Sequence, residues 1–127
     1  MFHGIKNSSP PKASVLPYTV QNVQIPVRDG AVVAARVYTP KHRPAQGCPG
    51  IFLCHGGGFV IADLDGQDGV GKVGTMLGGI VVDVLYRVAP EFPFPTAVMD
   101  CYDGLKWVSG FLLTYPLLTT NACVDQS

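Results

Sequence analysis

The sequence predicts an α/β fold in which an antiparallel hairpin precedes parallel central strands joined by crossover helices. Three observations carry that reading. Residues 50–54 and 79–85 are short apolar runs with little polar alternation, as expected of strands covered on both faces. The 66–77 stretch between them has the length of a crossover between parallel strands, which a tight turn cannot join. From Thr96 onward apolar residues recur at three- and four-residue spacing, the period of a helix. Strand, crossover, strand and helix in this order argue for a sheet with helices packed on it through right-handed connections. At 127 residues, 47% of them hydrophobic, the chain holds one globular domain at most.

Each element has its own justification. Residues 1–16 are polar, proline-containing and without period, and read as a loose arm ahead of a domain over residues 17–127. Val20, Val23, Ile25 and Val27 alternate partly with Gln21, Asn22, Gln24 and Pro26, the pattern of a strand at or near a sheet edge. Arg28-Asp29-Gly30 is the turn, and the valine-rich residues 31–39 are the return strand of a hairpin. Residues 40–49, with Lys41, His42, Arg43 and three prolines, form an exposed connection to residues 50–54, the first central strand. Residues 66–77 are rich in glycine and therefore weak helix material. The strand over residues 79–85 ends at Tyr86-Arg87, because Pro90, Pro93 and Pro95 permit neither strand nor helix to continue. Thr96 is expected to cap the next helix, with Val98, Tyr102, Leu105 and Val108 on one face and Asp100, Asp103 and Lys106 on or near the other.

Nine basic and nine acidic side chains leave no net charge and no basic cluster, so there is no electrostatic footprint for nucleic acid or an anionic membrane. No segment approaches the ~20 apolar residues of a membrane span, and the first residues carry no apolar signal region. The default expectation is a soluble, cytoplasmic protein. Cys48, Cys54, Cys101 and Cys123 are too few and too irregularly spaced for a disulfide framework and read as buried free thiols. Cys48, Cys54 and His55 lack the paired spacing of a metal site, so no metal and no other cofactor is expected.

Chemistry is concentrated where the first central strand breaks into His55-Gly56-Gly57-Gly58. Consecutive glycines forfeit chain entropy and packing, so their use is a tight turn or a close approach of backbone to a ligand. Bare N–H groups on such a loop can bind an oxyanion. A second glycine motif, residues 66–72, fits G-x-x-x-x-G-K, but Val73 stands where a P-loop needs serine or threonine, and no buried strand leads directly into it. A P-loop-like nucleotide binder is a remote alternative.

Three blocks in order resemble one family: His55-Gly56-Gly57-Gly58-Phe59-Val60, then residues 83–95 with Tyr86-Arg87-Val88-Ala89-Pro90-Glu91, then residues 97–108 ending in Trp107-Val108. Together they resemble the α/β-hydrolase fold-3 family, the hormone-sensitive-lipase-like esterases and lipases, with Val88 where leucine is usual. The resemblance covers residues 20–108 and implies the N-terminal portion of an α/β-hydrolase sheet. It implies hydrolysis of small-molecule carboxylic esters by a serine, a histidine and an acid, with the N–H groups of Gly57 and Gly58 as oxyanion-hole donors. His55 and Gly56 would support that loop. Tyr86, Arg87, Pro90, Glu91, Asp100 and Trp107 would hold loop and helix against the sheet.

The departures from the family are as informative. No serine among Ser8, Ser9, Ser14, Ser109 and Ser127 lies in G-x-S-x-G, and no histidine follows His55. The chain as written is therefore expected to be an inactive member of a hydrolase family; a non-catalytic truncated isoform or remnant that acts by binding is the alternative. Residues 111–118, with Tyr115-Pro116, resemble a strand beyond the nucleophile helix, as if the serine-bearing segment had been skipped; unrelated sequence read through a splice boundary is the alternative. Loss of the nucleophile strand would leave residues 51–54 as an apolar edge that invites self-association.

Overall fold

The computed structural model describes residues 16–43 and 47–124. Four strands form one sheet: β1 (Tyr18–Pro26), β2 (Val32–Pro40), β3 (Gly50–Cys54) and β4 (Ile80–Leu85). Their spatial order is β1-β2-β4-β3. The hairpin β1–β2 is antiparallel, with Tyr18 opposite Pro40 and Pro26 opposite Val32, and its return strand pairs antiparallel with β4. Only β3 and β4 are parallel, with Phe52 opposite Val82 and Leu53 opposite Asp83. The expected loose arm lies outside the described residues except for Leu16, which packs beside Tyr18 and Tyr38.

Two helices cover the sheet. A 3-10 turn over Asp65–Gln67 leads into α1 (Asp68–Met76), and α2 runs from Thr96 to Val124. Alternate residues of β4 serve the two faces: Val82 and Val84 pack with Val37 and Val108, while Val81 packs with Tyr18 and Tyr38 beneath α1. The glycines of α1 have a packing purpose. A Cβ on Gly71 would lie 2.6 Å from the Tyr38 ring, and one on Gly74 2.3 Å from a Val81 methyl carbon, so the helix axis sits closer to the sheet than any side chain would permit. Residues 66–72 are accordingly a 3-10 turn and part of a helix packed on the sheet, and they form no phosphate-cradling loop.

Four expectations need correction or refinement. β3 is the edge of this sheet, the position expected for residues 51–54 without a further strand beside them, but it is not covered on both faces: its residues are only half-buried beyond exposed Gly50, whereas β4 is buried throughout. Apolar composition alone does not distinguish an edge strand from a central one. Thr96 is the first residue of α2; the first helical bond runs from Met99 N–H to the Pro95 carbonyl at 3.0 Å. The buried face of α2 carries Ala97, Asp100, Gly104 and Val108, while Val98, Tyr102 and Leu105 are about half exposed. Residues 111–118 continue α2 and form no strand. The helical period persists, because Phe111 stacks on Trp107 one turn earlier, with ring centroids 5.1 Å apart, and Leu112 joins the same core.

Candidate active site

In a parallel pair, the crevice outside the C-terminal ends of the strands is where loops converge and ligands bind. Here the loops after β3 and β4 meet. His55, the first residue beyond β3, is buried and stacks on Tyr86, the first residue beyond β4, with ring centroids 3.8 Å apart and 12° between planes. Tyr86 Oη donates to the His55 carbonyl at 2.8 Å, and burial raises its pKa. His55 Nδ1 lies 2.8 Å from the Gly56 carbonyl oxygen and donates to it, while Nε2 is buried without a partner among the described residues.

Three successive residues then take left-handed backbone: Gly57 at φ 123°, Gly58 at 61° and Phe59 at 65°. The Gly57 carbonyl accepts from Val60 and Ile61 N–H, each at 3.1 Å, and a Cβ on Gly57 would stand 2.4 Å from the Ile61 carbonyl oxygen. Only glycine fits there. Phe59 is the single non-glycine residue at positive φ among the described residues, a conformation that costs on the order of 1–3 kcal/mol unless its surroundings impose it. They do so through Ala89 N–H, which donates to the Phe59 carbonyl at 2.8 Å, and through Tyr86, whose ring lies 5.9 Å from that of Phe59. The outcome is an exposed Gly56-Gly57-Gly58 turn, pinned at both ends, in which the Gly57 and Gly58 N–H groups have no partner among the described residues.

A second layer fixes the loop after β4. Arg87 grips buried Asp100 of α2 through Nε at 2.9 Å and Nη2 at 2.8 Å, while its N–H donates to the same carboxylate at 3.0 Å. Its remaining Nη1 reaches Asp29 in the hairpin turn at 2.8 Å, and the guanidinium lies over Phe92. These bonds raise the Arg87 pKa further. Arg28 repeats the fork on Asp103, one turn along α2, at 2.7–3.2 Å, and holds that carboxyl down at about 2. Pro90 follows a cis peptide in the same loop and is exposed. Glu91 is exposed and makes no hydrogen bond or ion pair through its side chain among the described residues, and Trp107 is half-buried against the core under α2. Sequence reasoning missed Phe59, Arg28, Asp29 and Asp103; the polar turn opposite two aspartates three residues apart was the available signal.

Ser109 Oγ donates to the Leu105 carbonyl at 2.8 Å within α2, and His42 lies in the connection before β3. Among the described residues no group of three His, Cys, Asp or Glu side chains is placed to hold a metal ion. No helix among them is long and apolar enough to cross a membrane.

Residues 51–111 match the family model described as the alpha/beta hydrolase fold. Esterase LipI of Mycobacterium tuberculosis is 40% identical over 79 residues, which is 61% of this chain and 25% of that protein. Arylacetamide deacetylase of Oryctolagus cuniculus is 38% identical over 96 residues, 73% of this chain and 24% of the deacetylase. The crystal structure of EstE1, a thermostable carboxylesterase cloned from a metagenomic library, superposes with a TM-score of 0.69 at 39% identity, over 77% of this chain and 33% of that one. The chain belongs to the α/β-hydrolase fold-3 family and represents part of its fold. It spans about a quarter of the length of these curated relatives.

Proposed function

We propose that this chain is the oxyanion-loop portion of a carboxylic ester hydrolase acting on small-molecule esters. The observation that carries the reading is the pair of unpartnered N–H groups on Gly57 and Gly58, in a left-handed turn fastened at the C-terminal end of the parallel strands. Such donors bind a tetrahedral oxyanion more strongly than the ground-state carbonyl, and losing one costs about 2.7–4 kcal/mol, or 10²–10³ in kcat. Exposed Phe59, Val60 and Ile61 supply an apolar wall beside them, suited to the acyl or alcohol part of an ester. The attacking hydroxyl and its base have no counterpart in residues 1–127, so these residues alone form no acyl-enzyme.

That absence favours a second reading, in which the 127 residues act by binding, including binding to one another through the open edge of β3. Turnover of a short p-nitrophenyl ester separates the two. Under the first reading, a protein carrying this segment together with a serine elbow hydrolyses the ester, and Gly57→Ala lowers kcat by about 10²–10³ with KM little changed. An unchanged kcat would remove Gly57 from the oxyanion hole. The 127-residue chain alone is expected to show no burst and no turnover; activity at an enzymatic rate would overturn the claim that it lacks a nucleophile.

A further inference from the structure

Cys54 closes β3 immediately before His55, and Cys101 lies in the second turn of α2 immediately after Asp100. Both are free thiols and half-buried, and their sulfur atoms are 3.4 Å apart, with Cys54 donating to Cys101. No other element separates them. We propose that Cys54 and Cys101 form a reversible redox pair whose oxidation by a peroxide ties β3 to α2 at the root of the glycine loop. The inference stands apart from the ester-hydrolase reading, since it needs neither substrate nor nucleophilic serine.

The chemistry divides between the two sulfurs. Accepting the hydrogen bond lowers the Cys101 pKa, while donating it, together with burial and the nearby Asp83 carboxyl, raises that of Cys54. Cys101 is thus the sulfur that attacks hydrogen peroxide, breaking the O–O bond to give a sulfenic acid and hydroxide. Cys54 then attacks that sulfur and gives up its proton; the S–O bond breaks and water leaves. In total, two thiols lose two electrons and two protons, and one peroxide becomes two waters. The sulfurs must close from 3.4 Å to about 2.05 Å. The bridge would join residues 47 apart in sequence across the β3–α2 packing, next to a turn whose shape depends on where β3 ends.

The test uses the full 127-residue chain, oxidised with hydrogen peroxide at near-stoichiometric ratio, capped with N-ethylmaleimide and digested. The expected result is a Cys54–Cys101 linked peptide from monomeric protein, loss of two maleimide additions, and their return after dithiothreitol. Hydrogen exchange over residues 55–61 should slow several-fold in the oxidised form. Cys101→Ser should leave Cys54 capped after the same treatment, and Cys48→Ser should leave the linkage intact. Recovery of both Cys54 and Cys101 as maleimide adducts, or as sulfinic acids or links between chains, would overturn the proposal. If a variant fails to fold, the linkage map of the unsubstituted chain decides alone.

Discussion

A carboxyl group buried on a strand without a hydrogen bond costs several kcal/mol once ionised, and Asp83 is such a group. It is fully buried on β4, both its oxygens lack partners, and its neighbours across the strands are Arg36 on β2 and Leu53 on β3. Arg36 offers limited relief, because its guanidinium is engaged by Asp65 and Asp68 of the α1 side and by Asn22. Burial pushes the Asp83 carboxyl up from 3.8 to about 7, against the pull of Arg36 and with Asp68 adding to the rise. Between those values the folded chain binds more protons than the unfolded one, so stability falls as pH rises through the window and levels off above it. The loss between pH 5 and pH 8 should be roughly 2–3 kcal/mol. Urea denaturation at the two pH values measures it, and Asp83→Val should remove the pH difference and stabilise the protein most at pH 8. A variant that remained equally pH-sensitive would assign the titration elsewhere. Nothing in the sequence marked this residue as costly, because a single aspartate in an apolar run is equally compatible with a paired or exposed carboxylate.

At the scale of elements, the N-terminal half of α2 buries an ion-paired aspartate and small residues and leaves Val98, Tyr102 and Leu105 about half exposed. Asp100 is 1% exposed beneath the Arg87 fork, whereas Val98 is 43% exposed and Leu105 45%. Removing one partner of a buried pair leaves a charge uncompensated and costs about 3–5 kcal/mol, while trimming a half-exposed side chain costs about 1 kcal/mol or less. Asp100→Ala is therefore expected to destabilise by about 3 kcal/mol and Leu105→Ala by less than about 1 kcal/mol, read as the shift in urea midpoint. The opposite ranking would restore the face that hydrophobic spacing suggests. That spacing misleads for a physical reason: a helix lying close to a sheet buries Ala97 and Gly104, which contribute little to an apolar count, together with an aspartate whose partner lies thirteen residues earlier. The hairpin and α1 were legible because turn chemistry and crossover length are local properties. Phe59 was not, since its backbone is imposed by Ala89 from another loop.

For the whole molecule, the sheet has two edges of different character. β1 is an edge with exposed polar residues Gln21, Asn22 and Gln24, while β3 is a half-buried apolar edge. Only the second resembles a pairing template, so the 127-residue chain should self-associate, with mass in sedimentation equilibrium rising with concentration to at least a dimer. A monomer at all concentrations would show that α2 and the glycine loop suffice to guard β3. The strand order that creates this edge was partly readable: the two apolar runs announced a parallel pair, but which of them lay inside depended on β2 choosing β4, a contact between residues about fifty apart. The turn carrying Arg28 and Asp29 likewise meets Asp103 and Arg87 only across long separations, with 75 residues between Arg28 and its partner and 58 between Asp29 and its own. On a ribosome adding about 5–20 residues per second, the turn emerges about 4–15 s before the helix it will clasp. Two charged side chains on a glycine turn can wait that long in water without finding a wrong partner, which an apolar clasp of the same reach could not do.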